Sequence, residues 1–282
     1  MPWVNGHIEV SHPREPWGNC AEDIFVHSKL SDLKGKPNTR HREQYEGAKL
    51  RYDMDAAVTL VEQCVSRVGM DKIIAHVIGG GRNARLVLPH PAFDDEDGAD
   101  GSLGTHPTNA LPFAYAAYLK VHTGCEVDEE IVQTARVGRT KLTRWPRFLY
   151  QPSFGGAVRN GQPYIIVDDV VTTGGTFAAL RSYIIRNGGS VLFGSAIANS
   201  SGNHQRFSMT ENSRNVITQA LGGGLEPFWL ATVGHELKCL TEAEAKFLGN
   251  WCHEEQAKGS PSADELLQRL RAEFDSAATK QG

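Results

Sequence analysis

Two adjacent carboxylates, Asp168 and Asp169, are the side chains of this sequence best suited to chemistry. An apolar run at residues 165–167 precedes them, and a short loop of threonine and glycine follows at residues 172–176. Glycines let backbone N–H groups approach a phosphate closely, and threonine hydroxyls add hydrogen-bond donors. Two carboxylates beside a phosphate would repel it, so they need sugar hydroxyls or a divalent cation as partners. A ligand with a phosphate, a ribose diol and a metal-bound pyrophosphate would satisfy all these groups.

The elements around the carboxylates are predicted from the neighbouring residues. The β-branched run at 165–167 is typical of a strand that is buried on both faces. From Phe177 to Ile185 the apolar residues recur with helical spacing, and Asn-Gly-Gly at 187–189 favours the end of a helix. The start of that helix would add its partial positive charge to an anion site. An ordinary strand, turn and helix without any ligand is the alternative interpretation.

The string Val-Asp-Asp-Val-Val-Thr-Thr-Gly-Gly-Thr at residues 167–176 resembles the phosphoribosyl-pyrophosphate-binding signature of type I phosphoribosyltransferases. The resemblance covers about residues 72–200. It implies an α/β fold with a doubly wound, mainly parallel sheet and a small hood built from the flanking segments. It also implies an enzyme, a Mg²⁺-dependent pentosyltransferase of the glycosyltransferase class. Such an enzyme transfers ribose 5-phosphate from phosphoribosyl pyrophosphate to a small-molecule nitrogenous base and releases pyrophosphate.

The resemblance also implies roles for individual residues. Asp168 and Asp169 would act in catalysis by holding the ribose hydroxyls, directly or through Mg²⁺, and both are therefore predicted metal ligands. Family members that act on 6-oxopurines usually carry an aspartate where this chain has Thr172, so hypoxanthine–guanine chemistry is disfavoured. The predicted contacts to phosphoribosyl pyrophosphate in the loop are Val171, Thr172, Thr173, Gly174, Gly175 and Thr176.

A second segment is expected to bind the pyrophosphate. In the family, the first core strand ends in a pyrophosphate-binding loop followed by a helix, and residues 85–123 look like that unit with an inserted acidic loop. Thr105, His106 and Asn109 are the predicted contacts. His106 is equally compatible with capping the helix that follows. The loop departs from the short form that is usual in the family.

Residues 136–147 form a basic stretch with five cations in twelve positions, within a chain of net charge −4. In the family, the corresponding segment is a mobile loop that closes over the pyrophosphate and brings in cationic side chains. Closure would exclude water and place positive charge beside the leaving group. Arg139 and Lys141 are therefore predicted to act in catalysis. A solvated basic loop is the alternative interpretation.

Composition places the chain among globular proteins and makes two classes of function improbable. It has 282 residues, of which 40% are hydrophobic and 22% charged. The net negative charge argues against a general nucleic-acid or membrane binder. The five cysteines are scattered without a CxxC spacing, and neither a signal peptide nor a membrane-spanning apolar run is recognisable. A cytoplasmic location is therefore expected, and a homodimer remains open.

Three segments are predicted along the chain. Residues 1–70 are assigned to an N-terminal arm and helix with a possible hood, 71–200 to the phosphoribosyltransferase core, and 201–282 to a C-terminal helical hood. Within them, residues 55–68 predict a helix, 72–78 a strand and 85–89 another strand. Thr241 and Glu244 have the spacing of a capping box at the start of a helix.

A different class of function would use the same residues. A regulatory or binding protein that senses phosphoribosyl pyrophosphate would keep the acidic pair and the threonine–glycine loop without turnover. Such a regulator would need a nucleic-acid-binding surface, and no helix-turn-helix pattern or basic domain is evident in the sequence. The basic stretch favours the enzyme because it is of the kind that stabilises a leaving group.

Overall fold

The computed structural model describes residues 14–17, 24–81, 83–90, 108–134, 145–200 and 206–279. The strands are β1 (Ile24–Lys29), β2 (Arg85–Val87), β3 (Glu126–Val127), β4 (Val132–Gln133), β5 (Phe154–Gly155), β6 (Pro163–Val171) and β7 (Ser190–Asn199). The helices are α1 (Leu30–Lys34), α2 (Arg40–Leu50), α3 (Met54–Cys64), α4 (Arg67–His76), α5 (Leu111–Thr123), α6 (Pro146–Leu149), α7 (Gly175–Arg186), α8 (Glu211–Leu221), α9 (Leu225–Val233), α10 (Glu242–Ala257) and α11 (Ala263–Thr279).

The central element is a five-stranded sheet with the order β1-β7-β6-β2-β3. Every neighbouring pair in this sheet is parallel. A separate antiparallel pair joins β4 to β5. Parallel strands need crossover connections, and helices supply most of these here. The predicted α/β class with a parallel sheet is confirmed.

Helices cover both faces of the sheet, and the alternation of side chains along β6 shows how. Ile165 and Val167 pack with the helices α2 to α5 on one face. Tyr164 and Ile166 pack with α7 on the other. Successive residues of a strand point to opposite faces, so an apolar run without alternation is what a strand covered on both sides requires.

The order of the strands creates a crevice between β2 and β6. From β2 the chain crosses by α5 to β3, whereas from β6 it crosses by α7 to β7 on the opposite side. Right-handed crossovers that run in opposite directions place their helices on opposite faces of the sheet. The carboxyl ends of β2 and β6 are therefore left open to each other, which is where ligands bind in open α/β sheets.

Two features of the first ninety residues differ from expectation. The strand β1 lies in the sheet beside β7, although residues 1–70 were assigned to an arm and a possible hood. Residues 72–78, predicted as a strand, belong mostly to helix α4. Met70, Ile73 and Val77 are all buried and have the spacing of one helix face, so burial against the core outweighs the strand-like run of isoleucines.

The C-terminal region is helical and has an apolar core of its own. Helices α8 to α11 bury Trp229, Leu248 and Phe274 in this core. Phe148 and Leu149 of α6 pack in the same cluster, so the cluster extends across the predicted boundary at residue 200. The predicted capping box at the start of α10 is confirmed, since the Thr241 and Glu244 side chains each accept a hydrogen bond from the other's backbone N–H.

A short N-terminal segment, residues 14–17, joins α7 to the C-terminal helices. Trp17 Nε1 donates to the carbonyl of Leu240 at 2.9 Å, while Arg181 of α7 donates to three carbonyls of the segment. Arg14 forms a buried, bidentate ion pair with Glu244, with N–O distances of 2.6 and 2.8 Å. The segment therefore fixes α10 relative to the helix that begins at the threonine–glycine loop.

Candidate functional site

Strand β6 carries the acidic pair to the carboxyl edge of the sheet, beside the crevice. Because side chains alternate along a strand, Asp168 and Asp169 begin on opposite faces. Asp169 is buried and faces α2, where Lys49 contacts it, whereas Asp168 is partly exposed. The two neighbouring carboxylates therefore have different surroundings.

Asp169 is held by two other elements. Its Oδ2 accepts a hydrogen bond from Lys49 Nζ of α2 at 2.5 Å, and the Asn109 side chain also bonds to it. Only 4% of Asp169 is exposed to solvent. Burial by itself would raise its pKa, but the Lys49 charge and the hydrogen bonds from Lys49, Asp168 and Asn109 hold the pKa below its usual value. Asp169 is thus an ionised, buried acceptor.

Asp168 differs from Asp169 in its exposure and in the direction of its pKa shift. Its Oδ1 accepts a hydrogen bond from the backbone N–H of Asp169 at 2.8 Å, and its side chain is partly exposed. Burial and the negative charge of Asp169 raise the pKa of Asp168 well above its usual value. The Asp168 carboxyl therefore gives up its proton less readily than an isolated aspartate, and its side chain also forms a hydrogen bond with that of Asp169.

The loop after β6 is fixed by contacts from two distant helices. Arg147 Nη1 of α6 donates to Thr172 Oγ1 at 3.0 Å. The hydroxyl of Thr241, at the N-cap of α10, donates to the carbonyl of Thr173. The Arg147 contact brings one cation of the predicted basic stretch to the threonine–glycine loop.

Gly174 closes the loop in a left-handed conformation, with φ +77°. This conformation is unfavourable for residues with a Cβ atom, and a Cβ here would also lie 3.3 Å from Thr241 Cγ2. Gly174 is the N-cap of α7 and has no side chain that could cap the helix. The first backbone N–H groups of an α-helix have no partner within the helix, so the start of α7 has the donors that an anion needs.

The structure places some of the other predicted residues and not others. Thr105, His106, Arg139 and Lys141 lie outside the described residues. Val171 is buried in the core and its carbonyl accepts a hydrogen bond from the Ser200 N–H. The half-buried side chain of Thr176 lies in the first turn of α7.

Asn109 does lie at the site, where it bonds Asp169. The backbone around it is tied to α2, because the Ala110 N–H donates to the Ala48 carbonyl and the Tyr52 N–H donates to the Thr108 carbonyl, both at 2.8 Å. The first bond joins the residue before Lys49 to the residue after Asn109, and the second joins the segment just after α2 to the residue before Asn109. The segment predicted to bind pyrophosphate therefore also orients the acidic pair.

Sequence reasoning missed two residues that contact the site, Lys49 and Thr241, and it also missed Arg14, which bonds Glu244 of α10. Lys49 is one of many charged residues on a helix of mixed polarity, and nothing in its local pattern distinguishes it from a solvated lysine. Thr241 was assigned only a capping role. The capping box was the one local signal available, and it pointed to the helix rather than to the loop.

The donor set suits Mg²⁺ in part. Carboxylate oxygens are the ligands this ion prefers, and it commonly takes one or two of them together with phosphate oxygens of the substrate. Asp169 already bonds Lys49 and Asn109, so Asp168 is the carboxylate that fits a metal best. Among the described residues, no group of three or more histidine, cysteine, aspartate or glutamate side chains is placed to hold a metal. Mg²⁺ therefore remains a proposal.

Comparison with known proteins gives two curated relatives. Protein TraN of Escherichia coli is 31% identical over 271 residues, which cover 95% of this chain and 53% of TraN. An uncharacterized protein of Haemophilus influenzae is 32% identical over 178 residues, covering 63% of this chain and 35% of its own length. The chain thus spans about half or less of the relatives it matches. No family model matches the chain.

The solved structures that match include two of adenine phosphoribosyltransferases. A crystal structure of adenine phosphoribosyltransferase matches 50% of this chain and 74% of its own, with 14% identity and a TM-score of 0.27. Adenine phosphoribosyltransferase from Thermoanaerobacter pseudethanolicus matches 50% of this chain and 84% of its own, with 16% identity and a TM-score of 0.26. At these TM-scores the likeness carries no argument about function.

In the described part of the chain, no helix has the length and apolar character needed to cross a membrane.

Proposed function

We propose that this chain is a phosphoribosyltransferase, which binds phosphoribosyl pyrophosphate and transfers its ribose 5-phosphate to a nitrogenous base. One observation carries the proposal: β6, the threonine–glycine loop and α7 place an acidic pair and an uncapped helix start together at the crevice between β2 and β6. Phosphate suits the helix start, and ribose hydroxyls suit the carboxylates. The spacing of these two groups in the sequence is that of the family signature.

The 5′-phosphate would be bound by the loop and the start of α7. Its oxygens would accept hydrogen bonds from the backbone N–H groups of Gly175 and Thr176, and from the hydroxyls of Thr172 and Thr176. Arg147, whose guanidinium bonds Thr172, would add positive charge at one side of the loop. The left-handed Gly174 keeps this part of the backbone without a side chain.

The ribose would be bound by the acidic pair. Asp169, ionised and held by Lys49, would accept a hydrogen bond from one ribose hydroxyl, and Asp168 would take the other hydroxyl. Mg²⁺, when bound, would neutralise part of the pyrophosphate charge and contact Asp168. These roles leave Asp169 as an orienting acceptor.

In the proposed reaction, a nitrogen lone pair of the base attacks the anomeric carbon. The bond from that carbon to the pyrophosphate oxygen breaks, and its electron pair leaves with pyrophosphate. An attacking nitrogen that carries a proton passes it to solvent, whereas a pyridine nitrogen has no proton to lose and keeps the positive charge. Positive charge develops on the ribose while negative charge develops on the leaving group. Arg139 and Lys141 would neutralise the pyrophosphate as the basic stretch closes and excludes water.

The test is a panel of purine, pyrimidine and pyridine bases, each incubated with the protein, phosphoribosyl pyrophosphate and Mg²⁺, with pyrophosphate release as the readout. We expect release with at least one base and none after Asp168→Asn. The Lys120→Met variant, which alters an exposed ion pair with Glu126, serves as a matched control with wild-type activity. Calorimetry should first show that phosphoribosyl pyrophosphate binds. Failure to bind at millimolar concentration would refute the proposal, and binding without turnover would support a sensor of this ligand instead.

A further inference from the structure

Helix α2 presents one polar face to the acidic pair. Arg42, Tyr45 and Lys49 recur at intervals of three and four residues, so they lie along the same side of the helix. Lys49 contacts Asp169 directly, and the charges of Tyr45 and Lys49 each influence the other's pKa. Helix α2 lies more than a hundred residues before the signature in the sequence, and it supplies a cation to the acidic pair.

This cation is anchored in place. Two backbone hydrogen bonds join the end of α2 to residues 108–110, and Asn109 from that segment bonds the same carboxylate as Lys49. The Lys49 side chain is 22% exposed, so its ammonium lies mostly within the protein and within hydrogen-bond distance of Asp169. Lys49 is thus a permanent counter-ion for Asp169.

We propose that Lys49 is the positioning residue of the acidic pair, supplying at Asp169 the positive charge that a divalent cation would otherwise bring. The ribose 5-phosphate portion of the ligand then binds without metal, and Mg²⁺ is needed only for the pyrophosphate. This inference rests on the proposed function. It makes binding of the sugar phosphate independent of binding of the metal, which the signature sequence alone does not distinguish.

The position of the Lys49–Asp169 ion pair argues against a purely structural role for Lys49. A buried ion pair is weak support for stability, because desolvating two charges offsets most of their attraction. The Arg14–Glu244 pair joins three segments of the chain, which accounts for its presence. The Lys49–Asp169 pair instead lies at the edge of the crevice, where one of its members belongs to the signature.

The test is calorimetric titration with ribose 5-phosphate, a ligand that lacks pyrophosphate, in EDTA and in millimolar Mg²⁺. For the wild-type protein we expect affinities within about twofold of each other in the two buffers. The variant Lys49→Met keeps the apolar stem and removes the charge. It should bind at least about tenfold more weakly in EDTA and regain affinity with Mg²⁺, since the cation can then reach Asp169. Lys49→Arg should restore metal-free binding, and Lys120→Met should behave as the wild type.

The outcomes distinguish this inference from the proposed function. Wild-type binding that rises about tenfold or more with Mg²⁺ would overturn the role of Lys49 and leave the proposed function standing. So would Lys49→Met binding equal to that of the wild type. Absence of wild-type binding to both ribose 5-phosphate and phosphoribosyl pyrophosphate would overturn both. If Lys49→Met does not fold, the double variant Lys49→Met/Asp169→Asn removes both charges, and the wild-type comparison in the two buffers still decides.

Discussion

At the scale of single residues, the two aspartates of the signature are not equivalent. Asp169 is a buried acceptor with three partners, whereas Asp168 is partly exposed and has a raised pKa. Their surroundings differ because Lys49 of α2 and Asn109 contact and hold Asp169, whereas Asp168 stays more accessible to solvent.

This difference predicts unequal effects of the two Asp→Asn substitutions on stability. Asp169→Asn leaves Lys49 without its counter-ion, so we expect the free energy of unfolding to fall by about 1–3 kcal/mol. Asp168→Asn should change it by less than about 1 kcal/mol, because Asp168 is partly exposed and Lys49 keeps Asp169 as its partner. Both variants should lose pyrophosphate release. Urea unfolding measured on the two variants side by side decides the matter, and equal losses of stability would contradict the distinction.

Gly174 provides a second prediction at this scale. Gly174→Ala introduces a Cβ at φ +77° and 3.3 Å from Thr241 Cγ2, so it adds crowding to conformational strain. Gly124 has φ +74° with nothing within 4 Å, which makes Gly124→Ala a control for strain alone. We expect each to lose about 1 kcal/mol of stability, with a greater loss for Gly174→Ala. Only Gly174→Ala should weaken binding of ribose 5-phosphate. Equal binding by both variants would mean that the loop does not contact phosphate.

At the scale of elements, the site is assembled from both flanks of the sheet. Helix α2 reaches it with Lys49, α6 with Arg147 and α10 with Thr241. The last two belong to the C-terminal helical cluster, whose apolar core holds α6 and α10 together. This cluster therefore positions the threonine–glycine loop.

The basic stretch before α6 is predicted to act in closure. Arg139→Ala/Lys141→Ala should lower the turnover number more than the affinity for phosphoribosyl pyrophosphate, because these cations would meet the charge that develops on the leaving group. Arg147→Met should instead weaken affinity, since Arg147 bonds the loop itself. Steady-state kinetics and calorimetry separate the two effects. The exposed Arg214→Ala on α8 is the control. Wild-type kinetics for the double variant would show that the stretch is solvated.

At the scale of the whole molecule, the N-terminal segment joins the sheet to the C-terminal helices. Arg14 bonds Glu244 and Gln151, while the neighbouring Trp17 stacks on Phe207 with ring centroids 5.5 Å apart. The same segment accepts hydrogen bonds from Arg181 of α7. Helix α7 begins at the threonine–glycine loop, and the N-cap residue of α10 bonds that loop. Greater mobility of the N-terminal segment would therefore disturb the geometry of the site.

The Arg14–Glu244 pair should make the molecule sensitive to acid. Burial by itself would raise the pKa of Glu244, but the Arg14 charge and the hydrogen bonds hold it below its usual value of 4.5. The stability it contributes is therefore present above that value and is lost as the pH falls through the lower pKa of the folded state. At pH 7, Glu244→Gln should lose roughly 3–5 kcal/mol, because Arg14 stays buried without its counter-ion.

Urea unfolding at pH 7 and at pH 3 measures this effect. The difference between the wild type and Glu244→Gln should shrink at the lower pH, as the wild-type carboxylate takes up its proton. The double variant Arg14→Met/Glu244→Gln should recover much of the lost stability, since it leaves no buried charge behind. A difference that stays constant with pH would exclude the ion pair as its cause.

The sequence alone was enough to predict the elements whose signals are local. The apolar run of β6, the helix and its glycine stop at α7 and the capping box of α10 are all confirmed. Each depends on residues within a few positions of one another, so propensity and spacing determine it. The strand predicted at residues 72–78 was wrong because a few isoleucines cannot distinguish a strand from a buried helix face.

Only the tertiary structure decided what contacts the acidic pair and its loop. Lys49 lies 120 residues before Asp169, and Thr241 lies 68 residues after Thr173. No local pattern marks such partners, because a charged residue on a helix surface looks the same whether solvent or a buried carboxylate lies opposite it. Packing of α2 against the sheet and the contact of the α10 N-cap with the loop make that choice, so that Asp169 receives a cation and the loop a hydroxyl donor.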